Sequence, residues 1–233
     1  MSSSGYISTA LSGSTGMSYS PRQIPGCVGW WTARDASTIT IATGVSQWGD
    51  KSGFGNHLTQ ATAADQPTYT TSVSVDFNPA NTHNLIAPAP IVALTTWEMF
   101  IVATSFSSNA TWRALLNSGA TTSATLLMLN IGGTQYGIWN GGFVQNGTNT
   151  WPNSTKKMAR VKALGTQIYQ SLDGNALTLT GSSGGSTGYS QIEGVCWPFQ
   201  GFGNIHELIL FNRELSETEA DFIEHNNRKV WAL

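Results

Sequence analysis

Charged side chains make up 10% of this 233-residue chain, and its formal net charge is −2. The few basic residues are spread thinly, so the chain offers no basic face for phosphates, which argues against nucleic acid as a partner. No apolar run approaches the roughly 20 residues of a membrane-spanning helix, which argues against membrane insertion. The polar residues are mostly Ser, Thr, Asn, Gln and Gly. Such a surface suits a neutral partner, protein or sugar, and equally suits strands that simply face water.

The first residues lack the basic and apolar segments of a secretion signal, so we expect the protein to be made and assembled in a cytosol. The two cysteines, Cys27 and Cys196, are too few for a disulfide framework, and their spacing fits no zinc motif. We therefore expect two free thiols, and no cofactor is indicated.

Residues 1–23 differ in composition from the rest of the chain. They are mostly Ser, Gly, Thr and Tyr and cannot form a core of their own. We interpret them as an extended arm and residues 24–233 as one β-sandwich domain. The arm either docks on another chain or packs along its own domain, and we favour docking. The docking contacts are expected from four isolated side chains: Ile7, Leu11, Met17 and Tyr19.

From Ile24 onward, short stretches rich in β-branched and aromatic residues alternate with turn-forming residues, which predicts many short strands. The predicted strands are Val28–Trp31, Val73–Phe77, Glu98–Phe106, Ala114–Leu116, Thr125–Ile131, Gly137–Trp139, Met158–Leu164, Gln167–Leu172, Ala176–Thr180 and Ile205–Phe211. Trp30 and Trp31 are adjacent, so their side chains should point to opposite faces, with at least one between the sheets. Asp173-Gly174 predicts a tight hairpin. The whole series indicates an antiparallel β-sandwich.

The segment from Asp50 to Asn56 predicts a structural turn. Gly53 and Gly55 permit backbone angles that other residues avoid, while Asp50, Ser52 and Asn56 can bond to neighbouring backbone groups. A calcium site built from the same oxygens is the alternative, but the turn contains only one carboxylate. We therefore favour the structural interpretation.

Residues 132–151 are the best candidate for a binding surface, because aromatic rings alternate there with amides and glycines. Sugars stack an apolar face on aromatic rings, and amides hydrogen-bond their hydroxyl groups. The alternative is that the rings anchor the core or the loops. The candidate glycan contacts are Tyr136, Trp139, Asn140 and Trp151.

A C-terminal helix is predicted by a capping box, with Ser216 as N-cap and Glu219 three residues later. Ile223, Val230 and Trp231 fall near one face of this helix, which we expect to close one end of the sandwich. At the corner before the helix, Arg213 is expected to pair with Glu214 or Glu217.

Three segments resemble laminin-G-like domains of the concanavalin A-like superfamily. Ile24–Trp31 followed by Val45–His57 is similar to the opening strand and its W-x-D-x-S-G-x-G-N turn, and Ile205–Glu219 is similar to the closing strand with its N-R-x-L-S-x-x-E corner. The hairpin at Asp173-Gly174 also lies where the family often has one. The resemblance implies an all-β, concanavalin A-like antiparallel sandwich (jelly roll) with a short C-terminal helix.

The glycanases of that superfamily carry a Glu-x-Asp-x-x-Glu strand, and this sequence has none. Glu98, Glu193 and Glu207 remain conceivable acids, but nothing around them indicates the pairing that glycoside cleavage needs. The four histidines are scattered without metal or general-base spacing. We therefore predict that the chain is not an enzyme.

Domains of this type with a Ser/Gly-rich arm and no secretion signal resemble accessory proteins of tailed bacteriophages. The resemblance implies a virion surface protein, either a capsid decoration protein or a tail or fibre component. It is expected to be oligomeric in the assembly, to bind other virion chains through its arm and to be able to bind a host-surface glycan. A free carbohydrate-binding lectin is the first alternative, and a glycanase is the second.

Overall fold

The computed structural model describes residues 19–78, 81–89, 91, 96–105, 113–114, 116–117, 125–129, 135–139, 143–165, 167–182, 194–195 and 203–233. These residues form antiparallel sheets and one C-terminal α-helix. In chain order the elements are β1 Cys27–Thr32, β2 Ile39–Ile41, β3 Val45–Trp48, β4 Leu58–Thr59, β5 Thr68–Thr70, β6 Ser74–Asp76, β7 Leu85–Ile86, β8 Thr96–Ser105, β9 Arg113–Ala114, β10 Leu116–Asn117, β11 Thr125–Leu129, β12 Gln135–Trp139, β13 Phe143–Thr150, β14 Lys156–Leu164, β15 Gln167–Leu172, β16 Thr178–Ser182, β17 Gly194–Val195, β18 Gly203–Phe211 and α1 Glu217–Trp231.

The larger sheet runs in the order β16-β15-β14-β8-β18-β6-β5. β18 pairs with β6 through residues 204–205 and with β1 through residues 207–211. Its central strand β8 is buried on both faces. The odd-numbered residues from Trp97 to Ala103 belong to the central core, and the even-numbered residues from Glu98 to Val102 face α1. A strand covered on both sides needs apolar residues on both sides, which explains the nearly continuous apolar sequence here.

Two smaller sheets complete the described architecture, in the orders β10-β17-β7-β4-β3-β2 and β13-β12-β11-β9. The first faces the larger sheet through Val45, Trp48, Leu58 and Leu85, and β13 approaches β15 and β16. The single strand predicted at Ala114–Leu116 is wrong. It is two short strands, β9 and β10, because the chain passes there from one small sheet to the other.

Among the described residues, four tryptophans are fully buried in the central core between the sheets: Trp31, Trp48, Trp97 and Trp151. Trp31 points into this core, whereas Trp30 packs against the cluster under α1 on the opposite face. The prediction from the two-residue period of a strand is therefore confirmed.

The helix α1 lies across the outer face of the larger sheet and does not close an end of the sandwich, which corrects our expectation. The reason is that Phe100, Ile209 and Phe211 point outward from β8 and β18 and must be covered. The capping box is confirmed, since Ser216 Oγ accepts a hydrogen bond from Glu219 N and Ser216 N donates to the Glu219 carboxylate. No helix in the described residues combines the length and apolar character that a bilayer crossing requires.

Most of the predicted strands are confirmed within two residues, from β1 to β18. The short strands β2, β3, β4, β5, β7 and β17 were not predicted, and neither was β13. Strands of two to four residues show too few side chains for an alternating pattern to emerge from the sequence.

Candidate functional site

A buried amide lies on the inner face of the larger sheet. On β15, Ile168 and Leu172 belong to the central core, and Gln170 lies between them on the same face. The Gln170 side chain is 0% exposed, and neither Oε1 nor Nε2 has a hydrogen-bond partner among the described residues. A buried polar group without a partner costs about 1–3 kcal/mol. The Gln170 side chain therefore destabilises the folded state relative to an apolar side chain at the same position.

The surroundings of Gln170 are apolar and contain small side chains. Val161 is its neighbour on β14, flanked on the same face by Ala159 and Ala163. On the other side, Thr178 belongs to β16, which is the last strand in the order of the larger sheet. Gln170 thus lies one strand from the edge, near the approach of β13.

The buried charged groups of the larger sheet lie on the opposite face. Arg160 Nε donates to Glu98 Oε1 over 2.5 Å, and its two terminal nitrogens donate to the Glu217 carboxylate over 3.0 and 3.1 Å. The second oxygen of Glu98 accepts from Leu215 N at 2.8 Å. Burial raises the pKa of Glu98 above its ordinary value, although the nearby guanidinium opposes this shift. This network joins β8 and β14 to the start of α1.

A second buried carboxylate, Glu207, is held between two indoles. Trp30 Nε1 donates to Oε1 at 2.8 Å and Trp231 Nε1 donates to Oε2 at 2.5 Å. The residue is 2% exposed, and this burial raises the pKa of its carboxyl group. The contacts fasten the C-terminal end of α1 to the sheet.

Glu98 and Glu207, both conceivable acids from the sequence, are not arranged as a glycosidase pair. Glu98 is opposite Phe211 in the β8–β18 ladder, four residues beyond Glu207. The offset along the strands is therefore roughly 13 Å, whereas paired glycosidase carboxylates are about 5–9.5 Å apart. All four of their oxygens also accept hydrogen bonds within the chain. Glu193 lies outside the described residues.

The corner before α1 differs from our expectation. Arg213 pairs with the Glu219 carboxylate at 2.7 and 3.0 Å, and not with the carboxylates of Glu214 or Glu217, although it also donates to the backbone oxygen of Glu214. The other two carboxylates are already bound on β14, because Lys162 donates to Glu214 at 2.9 Å and Arg160 binds Glu217. The Arg213 side chain is also held by Nε donating to Pro25 O.

The segment from Asp50 to Asn56 is a structural turn, as predicted. The Asp50 carboxylate accepts four hydrogen bonds from within the chain, from Trp30 N, Ser52 N, Ser52 Oγ and Asn56 N. Gly53 and Gly55 adopt φ values of 96° and 76°. In the described part of the chain, no group of three or more His, Cys, Asp or Glu side chains is placed to hold a metal ion.

The four predicted glycan contacts are only partly described. Tyr136 and Trp139 belong to β12, where they are paired in register with Leu129 and with Phe143 and Thr125 respectively. Asn140 lies outside the described residues. Trp151 is 0% exposed, and its Nε1 donates to Thr155 O at 2.8 Å. A ring without exposed surface offers no face to a sugar, so Trp151 serves the core.

Of the four predicted arm contacts, Tyr19 is the described one, and it packs on its own domain. Its hydroxyl donates to Asn227 Oδ1 at 2.8 Å, and its ring lies 5.8 Å from that of Phe222. Burial raises the Tyr19 pKa well above its ordinary value. Ile7, Leu11 and Met17 lie outside the described residues, so docking by the rest of the arm stays a prediction.

Cys27 is buried and is not part of a disulfide. Its thiol donates to Gly29 O at 3.8 Å, and burial raises its pKa to about 12, which keeps it protonated at neutral pH. Cys196 lies outside the described residues.

No protein-family model matches the sequence, and no curated protein matches it. Solved structures do match. A Trypanosoma rangeli sialidase bound to a difluorosialic acid is 16% identical, with a TM-score of 0.64 over 88% of this chain and 33% of the sialidase chain. The binding domain of Paraclostridial Mosquitocidal Protein 1 is 10% identical, with a TM-score of 0.59 over 89% of this chain and 53% of that chain.

Domain 4 of AbnA, a GH43 extracellular arabinanase from Geobacillus stearothermophilus in complex with arabinotriose, is also 10% identical. Its TM-score is 0.54 over 84% of this chain and 97% of the domain. The chain folds as a concanavalin A-like β-sandwich. At these identities the likeness is one of fold, and this sandwich spans about a third of the length of the sialidases.

The prediction that the chain is not an enzyme is corrected by the sialidase structures, which contain this sandwich within an enzyme chain. Our exclusion rested on a missing Glu-x-Asp-x-x-Glu strand. That motif represents one way in which a concanavalin A-like sandwich cleaves glycosides, and one fold hosts many functions. Its absence therefore does not exclude a part in an enzyme.

Proposed function

We propose that this concanavalin A-like sandwich binds carbohydrate. The observation that carries the proposal is the likeness to domain 4 of the arabinanase, which covers 97% of that domain and was solved with arabinotriose bound. A whole domain of the same fold that holds an oligosaccharide is a more direct guide than a third of a large enzyme.

The composition of the chain supports the same conclusion. Charged residues are 10% of the sequence, and amides and hydroxyls replace them. Neutral hydrogen-bonding groups are cheaper to desolvate than ions and match sugar hydroxyl groups. Tyr136, Trp139 and Asn140 remain our candidate contacts on and beside β12.

The proposed setting is the surface of a tailed-phage virion, which rests on the sequence resemblance and on the Ser/Gly-rich arm. Because Tyr19 is bound to α1, residues 1–18 are the segment left for docking on other virion chains. Deleting residues 1–18 should preserve folding and glycan binding and abolish incorporation into the particle. Incorporation at full occupancy after the deletion would contradict this setting.

Binding is tested by isothermal titration calorimetry with arabinotriose, other neutral oligosaccharides and sialylated ones. At least one should saturate with a Kd below about 1 mM, an affinity of about 4 kcal/mol. An acyclic polyol is the control, because it carries hydroxyl groups without a sugar ring and should not bind. A panel in which no saccharide saturates would refute the proposal.

A further inference from the structure

We infer that the Gln170 amide forms the polar end of a binding site for a neutral saccharide, at the edge of the larger sheet between β13 and the β15–β16 pair. This inference rests on the proposed carbohydrate binding and adds the position of the site and the class of sugar. It starts from a side chain that the fold encloses without providing a partner among the described residues.

The contrast with a second buried glutamine shows what a purely structural amide looks like. Gln66 is 6% exposed, and its Oε1 accepts from Thr43 N and Gly44 N at 3.2 and 2.9 Å. Its Nε2 donates to Gln60 O at 2.9 Å. Gln66 therefore stabilises the chain segments around it, whereas Gln170 makes no such bond to the described residues and occupies a place that an apolar side chain fills more stably.

The chemistry of an amide selects the ligand. Oε1 accepts and Nε2 donates, so one amide bonds two adjacent sugar hydroxyl groups, one as donor and one as acceptor. The buried charged side chains of the larger sheet, Glu98, Arg160, Lys162 and Glu207, all lie on the other face. Lys157, the described cation on this face of β14, is already paired with Asp173, so a buried sugar carboxylate beside Gln170 would be unpaired and costly. The site therefore favours a neutral saccharide over an acidic one such as sialic acid.

The position of Gln170 provides the route. Ala159 and Ala163 are small side chains on the same face, and one strand, β16, separates Gln170 from the edge. A terminal sugar that inserts at this edge reaches the amide. Because the side chain is fully enclosed, binding requires local opening, which should slow the association of the sugar.

The test compares titrations of the wild-type chain, Gln170→Met and Ser171→Ala with arabinotriose and with sialic acid. Methionine keeps the length of the side chain and removes both hydrogen-bonding atoms. Ser171 is the matched control on the opposite face of β15, since its Oγ is also buried without a partner among the described residues. We expect wild type and Ser171→Ala to bind arabinotriose alike and Gln170→Met to bind at least about tenfold more weakly.

The outcomes separate the two levels of the proposal. Saturation by arabinotriose that is unchanged in a folded Gln170→Met overturns this inference and leaves carbohydrate binding intact. Sialic acid bound more tightly than arabinotriose overturns the assignment of a neutral ligand. If neither wild type nor any variant binds any saccharide, the proposed function itself fails.

Discussion

The buried charged side chains and the buried amide of the larger sheet lie on opposite faces and differ in their partners. On the outer face, Glu98 and Arg160 are bound to each other and to α1, and Glu207 is held by two indoles. On the inner face, Gln170 has no partner among the described residues. The outer groups hold α1 on the sheet, and their hydrogen bonds are made to other residues of this chain. The unpartnered inner amide points to a task completed by another molecule, because an unpaired buried amide contributes nothing favourable to folding.

The largest expected effect is loss of the Arg160 side chain. Arg160→Met removes the partner of Glu98 and leaves an uncompensated buried carboxylate, which should destabilise the protein by about 3–5 kcal/mol. Urea denaturation measures the change. Lys157→Met is the control, because the Lys157–Asp173 pair is more exposed and worth about 0–1 kcal/mol. Equal losses in the two variants would show that the outer network does not secure the helix.

Substitution of the adjacent tryptophans of β1 compares how much each face of the larger sheet contributes to the free energy of unfolding. Trp31→Ala should cost about 3–5 kcal/mol, since a fully buried aromatic side chain leaves the central core. Trp30→Ala should cost about 2–3 kcal/mol, because it leaves one oxygen of Glu207 without its donor. Measured free energies of unfolding that reverse this order would mean that the outer face, and not the central core, dominates stability.

A pH titration sharpens the account of Glu207. Burial raises its folded pKa, so the folded state holds its proton more tightly than the unfolded chain does. The stability contribution of Glu207 is therefore greatest at acid pH and decreases as the pH rises from about 4.5 through the folded pKa. Glu207→Gln cannot titrate. Wild-type stability relative to this variant should fall over that window, and a difference that rises with pH would contradict the assignment.

The smallest expected effect concerns Tyr19. Tyr19→Phe retains the ring contact with Phe222 and loses the hydrogen bond to Asn227, which should cost about 0.5–1.5 kcal/mol. The phenol should also titrate well above its ordinary pKa in the wild-type chain, as measured by ultraviolet absorbance. An ordinary phenol titration would place Tyr19 away from α1.

The features predicted correctly from the sequence are those with local causes. The capping box joins residues three apart, and the alternation in β15 is visible within six residues. The Glu98–Arg160–Glu217 network joins residues 57 and 62 positions apart, and no local rule connects them. The sequence feature that could have indicated this network is a charged residue inside an apolar strand, because such a residue indicates that the second face of the strand is also covered.

The candidate site was only half visible in the sequence. The two-residue period places Gln170 on the same face as Ile168 and Leu172, so a polar group on the apolar face could be predicted. Its lack of a partner depends on everything that packs above β15, which the sequence does not show. Trp151 was predicted as a sugar contact from the composition of residues 132–151. In the structure it is buried in the core, and its Nε1 donates to Thr155 O.

The most direct test of the central claim is the unfolding free energy of Gln170→Met beside that of Gln66→Met, measured in urea without a saccharide. Gln66→Met should be destabilised by about 2–4 kcal/mol, because three hydrogen bonds are lost and the buried backbone donor of Gly44 is left unpaired. The free energy of unfolding of Gln170→Met should equal that of the wild type or exceed it by up to about 1–3 kcal/mol, because an unpaired amide is removed. A Gln170→Met variant destabilised as much as Gln66→Met would mean that Gln170 is a structural residue of the sandwich.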